Sequence, residues 1–421
     1  MGSTIVKLSR NTENAPISQE STQSVAFSHY NNISAQLPID AQTGLLVDGC
    51  IEAQIKQCLL NIKRIVESID HVMDDVVKIN VFLTNIADLE VLDKVYSTFF
   101  STLVPTRSVV AIHALPLEGA LVQMDALISN GEGTTPQKPC DLIKLSRNTE
   151  KAPLSHISSQ TVAFSHYNNI SAQLPIEPST GNIISGDIKQ QTAQCLTNIK
   201  SVLESIDVPF DDIVKITIYL KDLADMKDVN ETYSTFFPDS AIARTVAYVP
   251  ARSVVVASAL PMGASIQIDA VVSHGDGTPP QAVEDRHGIV IKANNTLNAP
   301  MDGLSTQTVA FSHYNHISAQ LPIDATTNQL IDGGVKEQAE KCLNNIKSIL
   351  ESINHEMDDL VKVNIQVKDI AHLATIDDVY KMFFNGELPA RTVIGVSEIA
   401  MGADVQIDAI ASNAGGTPPQ R

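Results

Sequence analysis

Along Leu121-Val122-Gln123-Met124-Asp125-Ala126-Leu127-Ile128, polar residues interrupt an apolar run at every second place. In a strand, Val122, Met124, Ala126 and Ile128 then share one face, while Gln123 and Asp125 point the other way. The pattern returns with Gln267 and Asp269, and again with Gln406 and Asp408. The second face also carries Leu121 and Leu127, and Val76 and Phe82 from a nearby strand, which is too apolar for open water. Such a face predicts cover by another domain, with its polar groups at a cleft. A glutamine there can hold a water but cannot accept its proton at ordinary pH. Three further sets recur in register. His29, His166 and His313 stand in Ser-His-Tyr-Asn, the expected tip of a hairpin, and read as turn or surface residues. Cys58, Cys195 and Cys342 fall on the apolar stripe of a helix and read as core packing. Ser34, Ser171 and Ser318 have no sequence neighbour that reads as an activating base.

The elements that must position these residues come in three copies. Val25-Ala26-Phe27-Ser28-His29-Tyr30-Asn31-Asn32-Ile33-Ser34-Ala35-Gln36-Leu37-Pro38 returns almost letter for letter at 162–175 and at 309–322. The period is far longer than that of a solenoid repeat, so each copy reads as a whole domain: 1–137, 138–281 and 282–421. Copy two carries eight extra residues between Phe237 and Arg252, read as a surface-loop insertion. Gly/Thr/Pro tracts beginning at Asn130, His274 and Asn413 read as linkers and a tail. Within copy one, 24–27 and 32–37 flank a polar turn as a hairpin, and Ile55, Cys58, Leu59, Ile62, Val66 and Ile69 recur at helical spacing. A strand at 76–83, a second helix marked by Leu89, Leu92, Tyr96 and Phe99, and strands at 108–113 and 121–128 complete β-β-α-β-α-β-β. That order predicts an α+β domain with two helices on one face of a small sheet.

Composition removes other classes. The 421 residues carry 29 Lys plus Arg against 48 Asp plus Glu, a net charge of −19, which argues against holding nucleic acid by its backbone. Five cysteines without CxxC spacing give neither a disulfide framework nor a zinc ribbon. No segment approaches the roughly 20 apolar residues of a membrane helix, and the N-terminus lacks a signal-peptide core. The expectation is a soluble protein of a reducing compartment, the cytoplasm.

Several segments together resemble one family. Ser34-Ala35-Gln36-Leu37-Pro38-Ile39-Asp40 with Thr43-Gly44, the helix segment Cys58-Leu59-Leu60-Asn61-Ile62-Lys63, the strand 75–83, Tyr96-Ser97-Thr98-Phe99-Phe100, and Pro105-Thr106-Arg107-Ser108 are similar, in order, to the signature of the RidA/YjgF enamine/imine deaminases. Pro250-Ala251-Arg252-Ser253 and Pro389-Ala390-Arg391-Thr392 repeat the last segment. The resemblance implies a chorismate-mutase-like fold, a trimer with a central β-barrel, and a ligand site at each interface. It also implies an arginine, here Arg107, Arg252 or Arg391, that clamps the carboxylate of a 2-imino or 2-enamino acid. Hydrolysis to a 2-oxo acid and ammonia then proceeds without metal or organic cofactor. A planar, always-charged fork suits a planar carboxylate. Ser34, Ser171 and Ser318, with Ala35, Ala172 and Ala319, are implied ligand contacts, a satisfied strand hydroxyl being the alternative for the serines.

Four positions depart from the family pattern. The water-activating glutamate is matched by Gln123, Gln267 and Gln406, and the bordering tyrosine by Ser21, Ser158 and Ser305. The cysteine after the arginine is Val109, Val254 or Val393, and an asparagine kept as Asn230 becomes Asp93 and Asp377. Two functions follow as expectations: a weakened cofactor-independent deaminase of imino acids such as 2-aminoacrylate, serving metabolite damage control, or a non-catalytic binder of a small carboxylate-bearing metabolite. The ribonuclease or translation-inhibitor activity often attached to the family fits worst, since the charge is wrong and no His pair is placed for in-line phosphoryl chemistry. Restoring glutamate is expected to help most in copy two, which alone keeps the asparagine. Linkers of about 11 residues reach roughly 36 Å, enough for the copies to pair within one chain as a monomeric pseudo-trimer.

Overall fold

A computed structural model describes residues 4–100, 102–131, 133–137, 144–237, 248–274, 278 and 291–417. The inserted loop of copy two, both domain boundaries and Cys140 lie outside the described residues.

Copy one runs β1 (Leu8–Arg10), β2 (Ser24–Phe27), β3 (Tyr30–Gln36), α1 (Ile51–Ser68), β4 (Val76–Leu83), α2 (Leu89–Tyr96), β5 (Thr106–Ala111) and β6 (Val122–Ser129). The six strands form one sheet in the order β1-β2-β3-β6-β4-β5. Only β4 and β5 pair in parallel, which requires a crossover, and α2 supplies it. Copies two and three repeat the order, and copy two adds a two-stranded ribbon, Ile176–Glu177 with Asn182–Ile183. β1 was missed in the sequence because three half-exposed residues, Leu8-Ser9-Arg10, carry no periodic signal. The hairpin turn is tighter than expected. Ser28 takes a left-handed conformation (φ 51°), so Tyr30 and Asn31 already belong to β3.

Each copy has its own core. Ile55, Cys58, Leu59 and Ile62 of α1 pack with Tyr96 of α2 on Val122, Met124, Ala126 and Ile128 of β6, the face that the alternation assigns to the helices. Cys58, Cys195 and Cys342 are core residues, and burial pushes their thiol pKa upward. The opposite sheet faces are covered, as their mixed character requires, and the cover comes from the other copies. Val25, Phe27, Tyr30 and Val77 share one apolar cluster with Val162, Phe164, Tyr167, Phe311 and Tyr314. Tyr30 donates to the Phe164 carbonyl at 2.6 Å, Tyr167 to that of Phe311, and Tyr314 to that of Phe27, so the contacts run from copy one to two to three and back. Between this cluster and a second one containing Phe82, Tyr219, Val255 and Ile394 lies a polar chamber of about 160 Å³. It is crossed by Lys78–Asp269 at 2.9 Å, Lys362–Asp125 at 3.2 Å and Lys215–Asp408 at 4.0 Å, each joining two copies. Among the described residues no strand pairing closes the three sheets into one.

Two expectations fail here for packing reasons. The Gly/Thr/Pro tracts do not begin as free linkers, because Thr134, Thr278 and Thr417 are buried and accept from the backbone N–H of Ser28, Ser165 and Ser312. The hairpin histidines occupy the turn, as expected, but they are buried or half-buried there and not at the surface. Burial lowers the pKa of His29, His166 and His313, and neighbouring histidines lower those of His29 and His166 further, to about 4 for His166. No helix among the described residues is long and apolar enough to cross a membrane.

The chamber predicts an acid response. His316 stands where the other copies have Asn32 and Asn169, is buried, and has a pKa pushed down to about 3 by burial and then by the Lys215 ammonium. Lys78, Lys362, Asp125, Asp269 and Asp408 line the same space. A histidine held neutral in the fold but protonated near pH 6.5 when unfolded stabilises fully above that pH, and the stability is lost as pH falls toward 3. At pH 4.5 the loss from this one group is about 2–3 kcal/mol. Urea midpoints at pH 7.5 and 4.5 should therefore lie closer together in His316→Asn than in the parent; an unchanged gap would remove His316 as the cause.

Candidate functional site

The site is built on β5, whose second residue is Arg107, and on the equivalent strands carrying Arg252 and Arg391. Each guanidinium lies over the ring of a tyrosine from the preceding helix: Tyr96 at 4.9 Å, Tyr233 at 5.1 Å and Tyr380 at 5.0 Å. A cation over an aromatic face is attracted to it, and the flat ring fixes the plane of the fork. Sequence reading places Tyr96 on the second helix and in the Tyr-Ser-Thr-Phe-Phe segment but gives it no role; its return as Tyr233 and Tyr380 just before each arginine is the available signal.

The facing wall belongs to the next copy. In β3 the ladder to β6 shifts register between Ile33 and Gln36, and copies two and three show the same shift between Ile170 and Gln173 and between Ile317 and Gln320. The extra residue is a β-bulge, a device that re-aims side chains. It turns Ser171 Oγ to the backbone N–H of Arg107, Ser318 Oγ to that of Arg252, and Ser34 Oγ to that of Arg391, each at 2.9 Å. Each serine in turn donates to a carbonyl of its own copy: Thr22, Ser159 or Thr306. The hydroxyl proton is spent, so these serines hold the arginine strand in place and cannot donate to a ligand. Ala35, Ala172 and Ala319 are the only incompletely buried residues of their strands.

Around Arg107 the walls enclose a cleft of about 280 Å³. Copy one contributes Arg107, Val109 and Leu89; copy two contributes Ser158, Ser171, Ala172 and Gln267, with Leu154, Ile157 and Met262 among the apolar lining. Gln267 donates its Nε2 to the Val109 carbonyl at 3.1 Å, and Gln123 to that of Val393 at 3.0 Å. The third cleft differs. Gln406 reaches the Val254 carbonyl only at 3.5 Å, while Gln366, standing where Phe82 and Tyr219 stand in the other copies, donates to it at 3.2 Å. Sequence reading missed Gln366, although its replacement of an aromatic residue was visible.

Two expectations about grouping are corrected. Each glutamine lies beside the arginine strand of another copy: Gln406 of copy three reaches toward the Val254 carbonyl on the strand that carries Arg252, and copy two's Gln267 lines the Arg107 cleft. Nor are all three guanidinium groups free. Asp93 accepts from Arg107 Nη1 at 2.7 Å and Asp377 from Arg391 Nη1 at 2.6 Å, whereas Arg252 Nη1 donates to the neutral Asn230 at 2.8 Å. Among the described residues nothing pairs with the Nε and Nη2 edge of any of the three.

Sheets with helices on one face, an arginine fork on β5 and a bulged strand opposite it define three RidA-like α+β domains. The chain belongs to the endoribonuclease L-PSP family, whose model matches residues 12–129, 149–274 and 296–413, once in each copy. A RutC family protein of Pyrococcus abyssi is 40% identical over 124 residues, which is 29% of this chain and 91% of the relative. The 2-iminobutanoate/2-iminopropanoate deaminase of Rattus norvegicus is 33% identical over 124 residues, covering 29% of this chain and 90% of that enzyme. Among solved structures, RidA from the Antarctic bacterium Psychrobacter sp. PAMC 21119 is 31% identical with a TM-score of 0.28, covering 29% of this chain and 98% of that one.

Proposed function

We propose that the protein hydrolyses small 2-imino or 2-enamino acids to 2-oxo acids and ammonia, without a cofactor and at a low rate. The carrying observation is the arginine fork presented across a cleft between copies with its Nε and Nη2 edge unpaired. A carboxylate on that edge gains two parallel charge-assisted hydrogen bonds. The short aliphatic side chain of such an acid suits the apolar lining supplied by Leu89, Val109, Leu154 and Ile157. The relatives named as 2-iminobutanoate/2-iminopropanoate deaminases support the same class. Water adds to the C2 carbon of the imine, and the adduct expels ammonia to leave the 2-oxo acid. The glutamine oxygen holds that water by proximity but takes no proton from it. That same absence of a carboxylate favours a second reading, a carboxylate-binding protein without turnover.

In this reading the three copies stand in for three subunits, as an intramolecular pseudo-trimer around a central barrel. The cyclic Tyr-to-Phe-carbonyl contacts and the Lys–Asp pairs between copies support it. Sedimentation should then give a monomer of 45.4 kDa; an obligate trimer of chains would overturn the arrangement. The arginine assignment is tested by titrating 2-oxobutanoate into the parent and into the triple Arg→Lys protein. Loss of the planar fork should weaken binding about tenfold or more, and equal affinity would reject the clamp.

A further inference from the structure

We infer that the three clefts are unequal and that the one between copies two and three, holding Arg252, is the principal carboxylate site of the chain. The inference rests on the carboxylate reading above and adds to it which residues set the affinity. The parts repeat in all three clefts: arginine, the tyrosine ring under it, the bulge serine that holds its strand, alanine and glutamine. What changes at the fork is the group behind it; farther out, the Arg252 cleft has Asp302, close enough to act on Tyr233, where the other copies have Ser18 and Ser155. Asp93 and Asp377 hold Nη1 of Arg107 and Arg391 at 2.7 and 2.6 Å, so those clefts present a guanidinium whose charge is already balanced. Arg252 has the neutral Asn230 in the same place, at 2.8 Å, so no carboxylate is hydrogen-bonded to its fork.

A carboxylate on the far edge of the fork would lie roughly 6–7 Å from the aspartate charge, and at an effective dielectric near 20 that repulsion weakens binding by about 10- to 100-fold. A second difference falls in the same cleft. Gln366 donates to the Val254 carbonyl at 3.2 Å, and Gln406 is left at 3.5 Å from that carbonyl, at the limit of a hydrogen bond. Gln406 is thus the least committed of the three cleft glutamines. In a trimer of identical chains all three clefts would be the same; one chain carrying three copies can differ at each.

Calorimetric titration of the full chain with 2-oxobutanoate tests this. One site per chain should dominate in the parent, should be lost in Arg252→Ala, should weaken about 10- to 100-fold in Asn230→Asp, and should survive Arg107→Ala. Asp93→Asn with Asp377→Asn, changes that keep shape and hydrogen-bonding capacity, should raise the number of comparable sites to three. Three equal sites in the parent, or an equal loss from Arg107→Ala, would overturn the inequality while leaving the clamp standing. No binding in the parent or in the double Asp→Asn protein would overturn the inequality together with the carboxylate reading beneath it.

Discussion

Gln406→Glu should raise imine turnover more than either Gln123→Glu or Gln267→Glu, and the gain should grow with pH. Absence of general-base help costs about 10²- to 10⁴-fold, which sets the size of the rise. The glutamines are buried, at 2% exposed for Gln123 and Gln267 and 7% for Gln406, so an introduced carboxyl is pushed toward its neutral form. At 123 and 267 the new oxygen would also face the carbonyl of Val393 or Val109, which now receives the amide, and would need a proton to bond to it. At 406 the Val254 carbonyl keeps the Gln366 amide as its donor, so the carboxylate is freer to ionise. Its cleft also holds Asn230 and Arg252, whose Nη1 bonds an amide and not a carboxylate. Rates of the three single variants against pH decide the matter: a rise through a raised pKa, largest for Gln406→Glu, is the expected result. Equal rates in all three and in the parent would show that the glutamines do not limit catalysis.

Lys362→Met should destabilise the protein by about 3–5 kcal/mol, the range for leaving a buried charge without its partner. Lys362 Nζ bonds Asp125 of copy one at 3.2 Å, Thr392 Oγ1 at 2.9 Å and the Ile33 carbonyl at 3.2 Å. Its removal leaves the Asp125 carboxylate, 4% exposed, with Asn80 and Thr392 as hydrogen-bond donors but no counter-charge. Ile33 immediately precedes the bulge that aims Ser34 at Arg391, so the variant should also loosen that cleft. Urea denaturation measures the first effect. Replacing Asp125 by leucine in the same chain should return part of the loss, because a buried pair exchanged for apolar groups is often near neutral. A loss below 1 kcal/mol would mean that the chamber is open to water.

The two helices, five of the six strands per copy and the face assignment of β6 were legible because periodicity reports burial directly. Leu8–Arg10 were not, since a short half-exposed edge strand has no pattern to read. The residues of the site were legible as types and as repeated positions, but not as a constellation. Gln267 meets the Arg107 strand and Gln406 the Arg252 strand only because the copies pack in a cycle, and no within-copy spacing encodes that. The role of Ser34, Ser171 and Ser318 was hidden for the same reason, since the N–H that each hydroxyl receives belongs to another copy. The aspartate-for-asparagine changes were visible in the sequence. Their consequence needed the 2.6–2.8 Å contacts to the guanidinium groups.

The central claim is turnover of an imine at clefts built from two copies of one domain. An amino-acid oxidase or a lyase can generate the imine in situ, with ammonia release or semicarbazone formation followed in the presence and absence of the protein. The predicted result is a small acceleration of ammonia release that disappears in the triple Arg→Ala protein and rises strongly in Gln406→Glu. No acceleration by the parent or by Gln406→Glu, in a chain that still binds 2-oxobutanoate, would contradict the enzyme and leave the carboxylate binder in its place.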